Sequence, residues 1–114
     1  MTILYILKIV AAVGTLGTGL ISLIWPRAIR GFTGLNTDGP RGITEIRAVM
    51  GGVFIGLGIA ALILNFPSNY QMLGIMYLVI AVVRTASMII DKSVQQSNVI
   101  SVAVEIIFGI ILVI

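Results

Sequence analysis

Apolar stretches of roughly 20 residues, separated by short polar segments, constrain this chain more than anything else in it, because an α-helix needs about that length to cross a hydrocarbon core of roughly 30 Å. Four such stretches run over residues 3–25, 44–66, 70–90 and 99–114. They are too long and continuous to be barrel strands. The pattern predicts an all-α chain: a four-transmembrane-helix antiparallel bundle forming a single integral membrane domain over residues 1–114. Composition points the same way, with 59% hydrophobic residues, seven basic and four acidic side chains, and a mean hydropathy of +1.18. A water-soluble domain of this size leaves about a third of its extended-chain surface exposed and has no place for so much apolar area.

The polar segments punctuate the spans. Trp25, Pro26, Arg27 and Arg30 stop the first one, an interfacial aromatic followed by a helix breaker and positive charge. That run is too long for the core of a signal peptide and its charges follow it, so it reads as a retained helix with Lys8 snorkelling. Residues 26–43, "PRAIRGFTGLNTDGPRGI", read as the main loop with a turn at Asn36–Pro40. "NFPSNY" and "DKSVQQSN" supply the other two connections. Tyr5, Trp25, Phe66 and Tyr70 read as interfacial anchors.

Basic residues are richer on the side that holds the 26–43 and 91–98 segments, with Arg27, Arg30, Arg41 and Lys92 there. The positive-inside rule then places both termini outside the cytoplasm. The net charge of +3 is dispersed over helix ends, which suits membrane orientation and not nucleic-acid binding. With no cysteine and no histidine, thiol chemistry, imidazole ligation of haem or zinc, and Cys–His or Ser–His catalysis are all excluded. "AAVGTLGTG" lacks the lysine of a phosphate loop and reads as helix packing. No cofactor, metal or catalytic residue is expected.

Charges inside the spans define the candidate site. Arg84 lies seven residues before Asp91, and Glu105 seven after Asn98, so each sits about 10 Å into its helix, level with the other. An Arg84–Glu105 ion pair is the expected arrangement, since either charge alone at that depth costs on the order of 3 kcal/mol or more. Glu45 and Arg47 enter from the same side but lie about 200° apart around their helix, so each needs a separate partner. Arg47 has Glu105 or Asp91 within expected reach, and Glu45 has Arg84, Arg41 or another loop arginine. Glu45, Arg47, Arg84 and Glu105 are thus expected in one cytoplasmic-leaflet layer, a structural clamp or else an anion, headgroup or proton-coupled site. Tyr77 and Asp91 share the Arg84 stripe.

Small residues mark the expected contacts between helices, which in lipid rest on close van der Waals packing. Ala48, Gly52, Gly56 and Ala60 form an i, i+4 ladder beneath Glu45, and Gly51 and Gly58 line a second face. Ala11, Thr15 and Gly19, with Gly14, Thr18 and Ser22, are the matching rows of the first helix.

On the element Glu45-x-Arg47-x-x-x-Gly51-Gly52, with Arg84 late in the third helix and Glu105 in the fourth, the whole chain resembles an uncharacterised family of small bacterial four-helix membrane proteins, a domain of unknown function distantly similar to DoxX proteins. The resemblance implies the fold and the polar layer but no reaction. The expected role is a non-enzymatic, multi-pass protein of the bacterial inner membrane, acting in the lipid bilayer as a homo-oligomer or as an accessory subunit alongside other membrane proteins. The alternative is a minimal small-molecule or proton-coupled transporter using Glu105. Small multidrug transporters of this length carry their carboxylate in helix one, where this chain has none.

Overall fold

In the computed structural model, which describes residues 2–114, the chain is all-α. Helix α1 spans Ile3–Ile24, α2 Pro26–Thr33, α3 Pro40–Glu45, α4 Phe54–Leu64, α5 Pro67–Ile90 and α6 Gln96–Val113. A π-helical segment, Ile46–Val53, joins α3 to α4 without a break, so Pro40–Leu64 is one 25-residue helix. This helix, α1, α5 and α6 are each long and apolar enough to cross a membrane. Large apolar side chains such as Ile63, Val82, Ile89 and Ile90 are more than two-thirds exposed, which in a membrane-spanning helix is the surface offered to lipid.

Three helices begin three or four residues earlier than the sequence reading placed them. Pro40 and Pro67 were read as loop residues, yet each occupies the start of its helix, where the missing N–H is one that no intrahelical acceptor would use. The 26–43 segment is likewise not all loop. Pro26 opens α2, and Gly34, at φ 72°, closes it by donating its N–H to the Arg30 carbonyl at 2.9 Å. Asn65, at φ 53°, follows α4, and extended Phe66 leads into Pro67, as the residue before a proline must.

Two compact units divide the chain. The first contains α1 up to Ala11 together with Asn65–Ile114. Here α5 and α6 form an antiparallel hairpin turned by Asp91–Gln95, with Lys92 at φ 52°. Contacts climb one helix as they descend the other: Arg84 meets Asn98 and Glu105, Tyr77 stacks edge-on against Phe108 at 5.6 Å, and Gly74 lies against Gly109 and Leu112. A methyl group at Gly74 would stand 2.9 Å from the Gly109 carbonyl oxygen, so the backbones there touch. In the same unit the hydroxyls of Tyr5 and Tyr70 both donate to Asn65 Oδ1, at 2.9 and 2.7 Å. Tyr70, read as an interfacial anchor, is buried at 2% exposure in this knot.

The second unit, Ala12–Leu64, packs the rest of α1 on the π-helical segment and α4. A Cβ at Gly19 would stand 2.6 Å from the Ile55 backbone nitrogen, and one at Gly58 would stand 2.8 Å from that of Leu16. Gly51 approaches the Gly19 carbonyl. The buried row is therefore Ile46, Gly51, Gly58 and Ala61. Ala48, Gly52, Gly56 and Ala60, the ladder drawn from i, i+4 spacing, are exposed, and nothing lies within 4 Å of where a Cβ would stand at Gly52 or Gly56. The reason is the π-helical stretch: its hydrogen bonds span five residues, so Ile46 and Gly51 align and the α-register is lost. On α1, Ala11, Thr15, Gly19 and Ser22 are buried, Gly14 is half-buried and Thr18 is exposed.

Candidate functional site

The polar centre of the first unit is built on the α5–α6 hairpin. Arg84 comes from the last two turns of α5 and Glu105 from the middle of α6, and the antiparallel turn brings them level. Arg84 Nε donates to both Glu105 oxygens, at 3.0 and 3.1 Å, and its Nη2 donates to Oε2 at 2.9 Å. The remaining edge of the guanidinium reaches sideways, Nη1 donating to Asn98 Oδ1 at 3.1 Å. Asn98 is itself fixed, because its Nδ2 donates to the Ser93 carbonyl in the turn. One planar cation is thus shared between a carboxylate and an amide from the facing helix.

This geometry uses what arginine has and lysine lacks: a rigid fork that meets a carboxylate two-handed. The Glu105 side chain is only 10% exposed and that of Arg84 33%. Charges so placed are tolerable only when paired and hydrogen-bonded, as these are. A groove of about 390 Å³, lined by Val79, Ile80, Val83, Arg84, Ser87 and Asn98, opens beside the pair.

The other site residues of the sequence reading have contacts of their own. Glu45 is paired with Arg41 one helical turn earlier, on an exposed surface. Arg47, exposed on the π-helical segment, forms no ion pair among the described residues. Asp91 accepts from the Ser87 hydroxyl at 2.8 Å, an interaction internal to the end of α5. Tyr77 is buried against Phe108. Of the partners expected for Glu45, Arg41 is the one observed, and Arg47 lines a cavity of its own unit. Asn98 is the residue that the sequence reading left without a role in the pair, although it stands on the same α6 stripe as Glu105. Among the described residues no three His, Cys, Asp or Glu side chains converge as metal ligands would.

An all-α chain with four bilayer-length apolar helices and a buried ion pair defines a small multi-pass membrane protein. The family model of the Domain of unknown function (DUF4345) matches residues 3–114, and the chain belongs to that family. No curated protein matches the chain, and no solved structure does.

Proposed function

We propose that the chain is a non-enzymatic membrane module that works as a homo-oligomer or as an accessory subunit of a larger complex in a bacterial inner membrane, with both termini outside the cytoplasm. The observation that supports this reading is the state of Glu105, the one buried carboxylate among the described residues, which is committed to the Arg84 fork. A group held that way is a fixed point of the hairpin and not a poised acid, base or nucleophile. The outward face of the Pro40–Leu64 helix, with Ala48, Gly52, Gly56 and Ala60, has room for close approach by another helix.

The competing reading is a minimal proton-coupled transporter using Glu105, and the groove beside Arg84 and Asn98 is what favours it. That cycle would have to break the fork at every turnover. Native mass spectrometry of protein extracted mildly from its own membrane separates the two. A fixed multiple of the 12.1 kDa chain, or a constant second protein, is the result expected for a module. A lone chain, together with proton-driven uptake that Glu105→Gln abolishes without unfolding it, would overturn the module reading in favour of transport.

A further inference from the structure

A cavity of about 530 Å³ opens within the second unit where α1 has ended, lined by residues of α2, the 37–40 turn and the start of the Pro40–Leu64 helix. The charged residues lining it are Arg27, Arg30 and Arg47, with no carboxylate among them. The acids of this stretch are segregated: Asp38 and Glu45 line a different groove together with Arg41, and Arg41 is already bonded to Glu45. Among the described residues, none of the three cavity arginines forms an ion pair. Three cations gathered round one space repel each other until an anion sits between them, and guanidinium forks match the oxygens of a phosphate better than any other side chain.

Two further features shape the space. Thr37 lines it beside the arginines, and it sits there because position 42 is glycine: a Cβ at Gly42 would stand 2.7 Å from that of Thr37. An adjoining recess of about 420 Å³ is bounded by Ile24, Trp25 and Pro26 as well as by Arg27 and Arg47. An apolar wall thus continues directly from the cationic lining, at the end of a bilayer-length helix.

We infer that this cavity binds a phosphate anion, first of all the headgroup phosphate of an anionic lipid whose acyl chains lie along the recess of Ile24 and Trp25. The site is built from residues of the second unit alone and does not depend on the module reading. It fits the leaflet that the arginine bias assigns to it, because anionic lipid is attracted to basic residues next to a membrane-spanning helix.

The test is lipid binding by native mass spectrometry, with the whole protein in mild detergent titrated against phosphatidylglycerol or phosphatidylcholine of the same acyl chains. Inorganic phosphate serves as a competitor in a parallel series. Phosphatidylglycerol is expected to bind at least about tenfold more tightly than phosphatidylcholine, with the preference falling as salt is raised. The triple variant Arg27→Gln/Arg30→Gln/Arg47→Gln should lose the preference, whereas Arg41→Gln, an arginine of the same stretch outside the cavity, should keep it. Circular dichroism checks the fold. Should the triple variant not fold, each single substitution is expected to lower the preference several-fold. Equal binding of the two lipids by the unaltered protein overturns the inference, as does a preference that survives the triple variant or falls equally in Arg41→Gln. Binding of inorganic phosphate that depends on the same arginines, without lipid preference, overturns the headgroup assignment and leaves a soluble anion as the ligand.

Discussion

The two compact units treat arginine in opposite ways. On the α5–α6 hairpin, Arg84 is two-thirds covered and meets a carboxylate and an amide from the facing helix. In the Ala12–Leu64 unit, Arg27, Arg30 and Arg47 share a cavity with no carboxylate, and Arg41 has an acid only on an exposed helical turn. Burial accompanies the difference: Arg84 is largely covered, whereas Arg27 and Arg47 are exposed and Arg30 is half-buried. A covered cation has little water to solvate it and must be matched within the fold, whereas an open one can remain unmatched and stay available to a mobile anion. The covered charge is therefore part of the architecture, and the open charges are the ones accessible to an outside partner.

The contrast can be broken most severely at the hairpin. Arg84→Ala leaves the Glu105 carboxylate buried alone, and Glu105→Gln leaves the guanidinium without its counter-charge. Each is expected to cost about 3 kcal/mol or more of unfolding free energy in detergent. Close backbone contacts come next. Gly19→Ala and Gly58→Ala push a methyl into neighbouring main chain, which cannot move aside as a side-chain tip can, and about 1–3 kcal/mol should be lost on denaturant titration. Asn98→Ala removes one hydrogen bond to Arg84 and the tie to the Ser93 carbonyl, an expected loss of about 1–2 kcal/mol that leaves the Arg84–Glu105 fork in place. At the small end, Glu45→Gln breaks an exposed i, i+4 pair and should change stability by no more than about 0.5 kcal/mol. Gly52→Ala and Gly56→Ala should be as mild, since nothing among the described residues stands where the methyl would go. A large loss at Gly52 or Gly56 would sharpen the comparison differently, by locating a contact between copies or with another protein on that face.

Much of this was legible in the sequence, for reasons that particular residues make clear. Span length alone gives the four long helices. Arg84 and Glu105 are each seven residues from an end of the polar 91–98 segment, so counting the rise per residue brings them level from sequence alone, although α6 starts earlier, at Gln96. Other features depended on information that spacing does not carry. The ladder at Ala48, Gly52, Gly56 and Ala60 assumes an α-helical register, and the π-helical stretch moves burial to Gly51 and Gly58 instead. No local signal in "IRAVMGGV" announces that change. Pro40 and Pro67 look like loop residues until the helices are seen to start on them. Arg27, Arg30 and Arg47 appear scattered because two belong to one side of the 34–39 segment and the third to the other, and only the fold gathers them. Asn65 offered no sign that two tyrosine hydroxyls 65 positions apart at their extremes would meet on its side chain.

The central claim is that Glu105 is a structural partner of Arg84, and a double-mutant cycle measures it most directly. Unfolding free energies would be compared for the unaltered protein, Arg84→Met, Glu105→Leu and the combined variant, all in the same detergent. A fixed ion pair predicts strong coupling: each single change costs about 3 kcal/mol or more, and the apolar double variant costs less than either single, so the coupling is at least about 3 kcal/mol. Additive losses, with the double variant as unstable as the two singles together, would contradict the pairing and return Glu105 to the list of groups free to bind or carry a proton.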